Sequence, residues 1–489
     1  MRGLLKILPG TGRGTVREAN GGGVATPPRS LPTPPSRLRR ATSPFRGGLL
    51  AAAALVAFAT PATAQTVAIT NGRVVIGDGG DPIDGGTVVI RDGRVVAAGA
   101  GVAVPPGATV IDATGKWVTP GLMSGFSRVG LAEVDADNSS NDTSAATAPF
   151  NAALDIAPAI NPQAFAIAVN RAAGVTRAVV APATSNSIFA GQGAVIDLGG
   201  DSDAITRRRL FQYVELGENG AGEAGGSRVS AHALLRNALR EAEQVRMPAG
   251  ARSDPRMTEP SQERAGDVLL TRFDATALIP VVRGDQTLMI HVERASDILQ
   301  ALALKEEFPR LKLIIVGAAE GWRVADRIRA ANVPVIANAL TDLPSSFEQL
   351  AATQSNVGRL RAAGVEVSIG QLGEDETRQL RVMNQAAGNL VALNRIPGAT
   401  GLTWGQAFAA ISSGPAAAVG LDGELGSLRP GRRGDVVIWD GDPLELATGV
   451  EAVWIDGVQQ SLENRQTRLR DRYRNPVPGV LPHAYSPRD

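Results

Sequence analysis

The amino-acid sequence predicts an α/β protein in which a separate antiparallel β unit precedes a parallel sheet. Short β-branched runs occupy residues 67–112, and the Asp92-Gly93 pair between two of them is typical of a hairpin turn. Further along the chain, strands alternate with helices, as in Thr287–Val292 followed by a helix that Ser296 caps and Pro309 ends. This alternation favours a parallel α/β barrel or a doubly wound sheet. No glycine-rich dinucleotide motif follows the first of these strands, which weighs against the doubly wound sheet.

The composition is that of an ordinary globular protein. The chain has 489 residues, of which 44% are hydrophobic and 20% are charged, enough for one large domain and a smaller one. Its 49 basic and 48 acidic residues nearly cancel, so no overall field attracts nucleic acid, and we expect no nucleic-acid partner. The absence of cysteine excludes disulfides, zinc–thiolate sites and thiol nucleophiles.

The N-terminal region has the features of an export signal. An arginine-rich stretch precedes the apolar run Leu49–Thr60, which is followed by the small-residue site Ala62-Thr63-Ala64. We therefore expect a signal peptide cleaved after Ala64 and a periplasmic or secreted protein without a transmembrane segment. The competing interpretation is an uncleaved anchor, although the apolar run is shorter than the ~20 residues that a spanning helix needs.

Two motifs near opposite ends of this mature chain resemble the amidohydrolase superfamily. The first is the lead-in to the first barrel strand, "vxPGLID.H.H", which Val118, Pro120, Gly121 and Leu122 match. The second is the closing motif "iGsl.pGkdADlvvwdgdPl", matched by Gly426, Ser427, Leu428, Pro430, Gly431, Asp435, Asp440, Asp442, Pro443 and, further on, Gly457. The likeness is to the exported, imidazolonepropionase-like branch. It implies a (β/α)8 TIM-type barrel and a small β-sandwich built from N- and C-terminal segments.

The resemblance also implies the domain organisation. We expect a disordered leader and signal peptide at 1–64, the first part of the β-sandwich at 65–120, the barrel at 121–422, the second part of the sandwich at 423–460, and an arginine-rich tail at 461–489. The arginines of the tail are interleaved with Asp471 and Tyr473, which is typical of a solvated or docking helix.

The metal site that the resemblance implies is largely missing. The family pattern has two histidines on strand 1, and these positions hold Phe126 and Arg128. The usual carboxylated lysine has no counterpart, because no lysine lies between Trp117 and Leu304. Leu372, or its neighbour Gln371, stands where the family aspartate is expected. Zinc is thus implied by the family, but Phe126, Arg128 and Leu372 argue against it, since a phenyl ring cannot ligate and a guanidinium repels a cation.

His291 is the one family ligand that the sequence retains. It shares a strand face with Glu293, and we expect these two residues as the catalytic candidates. An equally plausible interpretation is a structural histidine hydrogen-bonded to a carboxylate. Arg128 and Gln192 are the substrate-binding candidates: Arg128 would replace a metal's charge, and Gln192 lies in a segment resembling a family substrate loop. A carboxylate-rich site for a harder ion is a further alternative, formed by His291, Glu293, Glu320, Glu374 and Asp375.

The resemblance implies hydrolysis of non-peptide C–N bonds in amides, cyclic amides or dipeptide-like compounds. The residues present do not support the metal-activated water that such hydrolysis uses in the family. Two hypotheses therefore remain: a divergent hydrolase with an altered or metal-free site around His291, and an inactive relative that binds a ligand or partners an active paralogue, with self-association also open. Metal-free acid–base chemistry through His291 and Glu293 is a third.

Overall fold

The computed structural model describes residues 66–245, 269–373 and 375–474. The predicted leader, the signal peptide and the cleavage position after Ala64 lie outside these ranges, as do Glu374, His483 and the last residues of the arginine-rich tail.

Within the described ranges, sixteen strands form two eight-stranded sheets. The strands are β1 (Thr66–Val74), β2 (Ile83–Arg91), β3 (Arg94–Gly99), β4 (Thr109–Asp112), β5 (Trp117–Pro120), β6 (Leu122–Ser127), β7 (Val175–Val180), β8 (Phe189–Asp197), β9 (Ile205–Glu215), β10 (Thr287–Val292), β11 (Leu313–Gly317), β12 (Val335–Ala337), β13 (Val367–Ile369), β14 (Val436–Trp439), β15 (Val450–Ile455) and β16 (Val458–Gln459).

Twelve α-helices lie in the described ranges, and many of them connect strands of the second sheet. They are α1 (Phe165–Arg171), α2 (Gly217–Glu223), α3 (Arg228–Gln244), α4 (Arg272–Ala277), α5 (Ile279–Arg283), α6 (Ala295–Glu307), α7 (Ala325–Ala330), α8 (Asn356–Ala362), α9 (Met383–Ala392), α10 (Trp404–Ala409), α11 (Ser413–Ala418) and α12 (Arg465–Arg474). No helix in the described part of the chain is long and apolar enough to cross a membrane.

Two local expectations can be compared directly with these elements. The Asp92-Gly93 turn is confirmed between β2 and β3, where both residues adopt positive φ angles of 52° and 74°. The predicted cap of α6 is wrong: Arg294, in an extended conformation, precedes the first helical residue, and Ser296 lies inside the first turn. The Ser296 hydroxyl hydrogen-bonds to the neighbouring Asp297 side chain and caps no backbone amide.

The first sheet combines both ends of the described chain, as the predicted fold class requires. Its order is β16-β15-β14-β5-β1-β2-β3, with β4 also paired to β1. The central contact is between β14 and β5, which pair antiparallel and so join the closing segment to the N-terminal strands. Trp439 on β14 is buried and donates its indole N–H to Thr119 at 2.9 Å.

The second sheet is a nearly closed barrel in the order β6 to β13. The Gln371 amide, just beyond β13, donates to the Phe126 carbonyl of β6 at 2.9 Å and brings the two edges together. The barrel of the predicted fold class is therefore confirmed, with one difference in its details. Strand β8 runs antiparallel to β7 and β9, because the short 198–204 connection forms a hairpin where a parallel crossover would need a dozen or more residues.

Arg177 joins the barrel to the first sheet. It lies on β7, is 1% exposed, and contacts Asp435 at 2.7 Å, Asp456 at 2.9 Å and Asp197 at 3.5 Å. Asp435 and Asp456 flank strands β14 and β15, so one guanidinium connects three chain segments. Burial raises the pKa of Asp197 to about 6 although Arg177 acts against it. Removing Arg177 would leave these carboxylates without their shared cation.

We expect Arg177→Met to lower the free energy of unfolding by about 3–5 kcal/mol, because breaking a buried ion pair leaves uncompensated charge. Urea unfolding of the variant measures this loss. The matched control is Arg208→Met, which removes an exposed arginine of β9 and should change stability by less than about 0.5 kcal/mol. Equal losses in the two variants would contradict the role of Arg177.

Candidate functional site

A cavity of about 820 Å³ lies at the carboxyl ends of the barrel strands. Its lining includes Phe126, Arg128, Glu215, Glu218, Glu223, His291, Glu293, Leu372 and Glu376. This is the end of a barrel at which side chains from several strands converge, and it is where active sites of such folds lie. We call it the mouth cavity.

His291 lies between two carboxylates in this cavity. Parallel pairing of β9 and β10 sets Glu215 directly beside His291, and their side chains meet with His291 Nδ1 2.6 Å from Glu215 Oε2. On the other side, His291 Nε2 is 3.2 Å from Glu293 Oε1. An ionised carboxylate only accepts hydrogen bonds, so this arrangement favours an imidazole that donates from both nitrogens.

Each carboxylate beside His291 has a further donor. Tyr213 donates its hydroxyl to Glu215 at 2.6 Å, and the Ala319 amide donates to Glu293 at 2.7 Å. Gly317 permits this approach of Glu293, since a Cβ at that position would lie 2.7 Å from the carboxyl carbon and the residue has a φ of +89°. The contacts fix both carboxylates against the histidine.

Arg128 and Glu376 form a second ion pair in the mouth cavity. Arg128 follows β6, is 8% exposed, and places its guanidinium against the Glu376 carboxylate. It also donates to the Pro182 carbonyl at 3.3 Å, and its backbone amide donates to the Glu376 carbonyl at 2.9 Å. Arg128 therefore joins the segment after β6 to the segment after β13 at the cavity.

The ionisation of the cluster follows from burial and pairing. Burial alone would lower the pKa of His291, but Glu215 and Glu293 outweigh it and raise that pKa well above its usual range. Burial would raise the pKa of Glu215, and His291 and Tyr213 reverse this and lower it. Burial also raises the pKa of Glu376, an effect that Arg128 opposes. The cavity thus pairs two cations with three carboxylates.

Three of the four predicted site residues meet in this cavity. Arg128, His291 and Glu293 all line it, whereas Gln192 does not. Gln192 lies on β8 opposite Gln212, and its side-chain oxygen accepts a hydrogen bond from Gln286 at 3.2 Å. The register of β8 places Gln192 in this glutamine cluster, away from the cavity lining, so the geometry gives no support to Gln192 as a substrate contact.

Comparison with known proteins bears on this site. The model of the amidohydrolase family matches residues 323–459. Amidohydrolase tasK of Hapsidospora irregularis is 24% identical, over 77% of this chain and 38% of that protein. The imidazolonepropionase of Maricaulis maris is 31% identical, over 31% of this chain and 35% of that protein. The chain thus spans well under half the length of each of these two relatives.

A solved structure extends the likeness over the whole fold. The amidohydrolase from Thermotoga maritima MSB8 superposes with a TM-score of 0.69 at 24% identity, covering 82% of this chain and all of that one. Together, the family-model match, the imidazolonepropionase relative and this structure support the amidohydrolase superfamily. The structural likeness shows the fold that this chain shares with that amidohydrolase.

The residues in the mouth cavity do not fit the metal centre that this superfamily implies. Phe126 is 1% exposed and packs with its ring centroid 5.4 Å from that of Tyr213, so a phenyl group fills one expected ligand position. Arg128 brings a positive charge to the other. Both nitrogens of His291 are engaged by carboxylates, and a protonated nitrogen has no lone pair for a metal. Across the described residues, no group of three or more His, Asp or Glu is arranged to hold a metal ion.

The alternative carboxylate-rich site is not assembled either. Glu320 turns its two carboxylate oxygens to the amides of Ala295 and Ala351, at 3.1 and 2.9 Å, and does not line the mouth cavity. Asp375 pairs with Arg378 at 3.4 Å and is also absent from the lining. Glu374 lies outside the described residues.

Sequence reasoning missed Tyr213, Glu215 and Glu376. The first two share one face of β9 with Phe211, and the alternation Phe211, Tyr213, Glu215 before Gly217 was the available signal. The segment after β9 forms helix α2, which contributes Glu218 and Glu223 to the cavity. The sequence does not predict this helix, because the glycines at 217, 220 and 222 lower helix propensity.

We expect the imidazole of His291 to remain protonated at pH 7.5, because Glu215 and Glu293 stabilise its cation. Nitrogen-15 NMR of the histidine side chains measures this state, and the signal is assigned by its loss in His291→Asn. Since the folded-state pKa lies above the unfolded value near 6.5, the stability that His291 contributes is complete below about pH 6.5 and is lost as pH rises through the folded-state pKa.

His232 provides an internal control for this measurement. Burial and the nearby Arg236 lower its pKa, so it should be neutral at pH 7.5 in the same spectrum. The substitution Glu215→Gln should lower the pKa of His291. A His291 signal that titrates at or below pH 6.5 in the unsubstituted protein would contradict the ion-pair geometry.

Proposed function

We propose that this protein binds a small organic molecule in the mouth cavity without a metal ion. The observation that carries the proposal is the pairing of the cavity's ionic groups with one another: His291 with Glu215 and Glu293, and Arg128 with Glu376. In the superfamily this position implies metal-activated water. Here Arg128 and His291 supply the positive charge, so the metal site is degenerate in this proposal.

The size and lining of the cavity support a ligand of modest size. A volume of about 820 Å³ falls within the roughly 300–1,000 Å³ typical of small-molecule sites. Neutral polar side chains complete the lining, namely Thr184, Asn219, Asn338, Thr341, Ser345 and Gln349. These groups suit the donors and acceptors of an amide. Family membership therefore favours amides, cyclic amides and dipeptide-like compounds as the ligand class.

Hydrolysis of a non-peptide C–N bond in the same cavity is the second candidate. It is favoured by the position of His291, whose imidazolium lines the cavity beside Glu293. In this alternative water attacks the carbonyl carbon and gives its proton to a carboxylate, and His291 donates a proton to the nitrogen as the C–N bond breaks. Its difficulty is the base, because each described carboxylate next to His291 is already hydrogen-bonded.

We also propose that the protein acts outside the cytoplasm. The support is the basic, apolar and small-residue pattern that ends at Ala64. N-terminal sequencing of protein recovered from the periplasm or the medium tests this proposal, and a first residue other than Gln65 would contradict the cleavage position.

Binding in the mouth cavity is tested by filling it. Gly222 lines the cavity on α2, and a Cβ there meets nothing within 4 Å, so Gly222→Phe adds a ring without a backbone clash. Gly423→Phe is the matched control, since Gly423 also has open space but lies outside the cavity lining. A panel of amides, cyclic imides and dipeptides is screened by thermal shift in EDTA, and calorimetry then gives affinities.

We expect at least one compound to bind in EDTA, with its affinity reduced about 10-fold or more by Gly222→Phe and unchanged by Gly423→Phe. We expect no release of amine from the bound compound. Failure of the whole panel to bind would contradict the proposal. Turnover that EDTA abolishes would contradict it in favour of a metal-dependent hydrolase, and turnover that persists in EDTA would favour the second candidate.

A further inference from the structure

The mouth cavity carries more negative than positive charge. Five glutamates line it, namely Glu215, Glu218, Glu223, Glu293 and Glu376. The cationic side chains in the same lining are Arg128 and His291. Even with His291 counted as a full cation, the described lining carries five carboxylates against two cations. An excess of this kind, held in a cleft with low-dielectric walls, raises the local concentration of ions of opposite charge.

The carboxylates of Glu215, Glu293 and Glu376 are not available to a ligand. Glu376 is engaged by Arg128, and Glu215 and Glu293 are both engaged by His291. These pairs are well ordered by further hydrogen bonds from Tyr213 and the Ala319 amide. A ligand that competed for them would have to break an existing ion pair.

Glu218 and Glu223, the two carboxylates of helix α2, lack such close partners. Glu223 lines the cavity, is half-buried, and makes no hydrogen bond or ion pair with any residue that the structure describes. Glu218 reaches only Arg228, at 3.8 Å, and Arg228 is held more closely by Asp297 at 2.8 Å and by Glu348 at 3.1 Å. Both α2 carboxylates therefore face the cavity with weak compensation or none.

Burial and the nearby charge of Glu215 raise the pKa of Glu223. A negative charge on Glu223 is therefore unfavourable in the absence of a nearby cation. A carboxylate removed partly from water interacts with a cation more strongly than an exposed one does, because water screens it less. A charged amino group near Glu223 would also lie within the field of Glu215.

We infer that the mouth cavity selects a ligand bearing a positively charged amino group, which Glu223 and Glu218 receive at the α2 side of the cavity. The inference rests on the proposed binding function and adds the charge class of the ligand. The remaining part of the ligand meets the neutral polar lining, where Asn219 and Asn338 supply donors and acceptors.

The test uses three probes of similar size and different charge at pH 7: 4-phenylbutylamine, 4-phenylbutanol and 4-phenylbutanoate. Calorimetry on the whole protein measures the affinity for each. The variant is Glu223→Gln, which keeps the size of the side chain and removes its charge. Glu243→Gln is the matched control, because Glu243 is exposed on α3 and lies outside the cavity lining.

We expect the amine to bind at least about 10-fold more tightly than the alcohol and the carboxylate to bind most weakly. Glu223→Gln should reduce the preference for the amine several-fold, and Glu243→Gln should leave it unchanged. Higher salt should weaken the preference as well.

Three results would overturn the inference: no binding of the amine, equal affinity for the three probes, or an amine preference that survives Glu223→Gln. Equal affinities that Gly222→Phe abolishes would overturn the charge preference and leave the proposed binding function standing. The proposed function itself fails on a different result, namely the absence of cavity binding across the amide panel.

Discussion

Charge compensation at the barrel mouth is the constraint on which the site depends. Glu215, Glu293 and Glu376 are withdrawn from water, and a buried carboxylate is tolerated only when a cation or several hydrogen bonds accompany it. In the superfamily the family pattern implies metal ions at this position. In this chain the guanidinium of Arg128 and the imidazolium of His291 supply the positive charge. In the function that we propose, Arg128 therefore supplies positive charge at a position where the family pattern implies a metal ligand.

The fold explains why these groups meet. The parallel register of β9 and β10 places Glu215 beside His291. The hydrogen bond between Gln371 and Phe126 closes the barrel, and this closure brings Glu376 close to Arg128. At the other side of the barrel sheet, Arg177 ties β7 to the strands contributed by the C-terminal segment. Two ionic clusters therefore organise the molecule: the Arg177 cluster joins its sheets, and the mouth cluster shapes its cavity.

The alternation of strands and helices predicts a parallel barrel or a doubly wound sheet, and the family resemblance implies the barrel and the two-ended sheet. A short apolar run marks β10, and turn chemistry marks Asp92-Gly93. The mouth cluster is harder to predict, because its partners come from separate segments of the chain. Glu215 is 76 residues from His291, and only strand register brings them together. The position of Gln192 also depends on strand register. Its segment resembles a family substrate loop, but the pairing of β8 with β9 places its side chain against Gln286.

The most direct test of this account is the metal content of the protein. A chain beginning at Gln65 is purified without chelator, incubated with zinc, separated from free metal and analysed for bound elements, beside His291→Ala. The account predicts far less than one ion per chain in both proteins, because Arg128 and His291 already compensate the carboxylates. About one ion per chain in the unsubstituted protein, lost in His291→Ala, would contradict it.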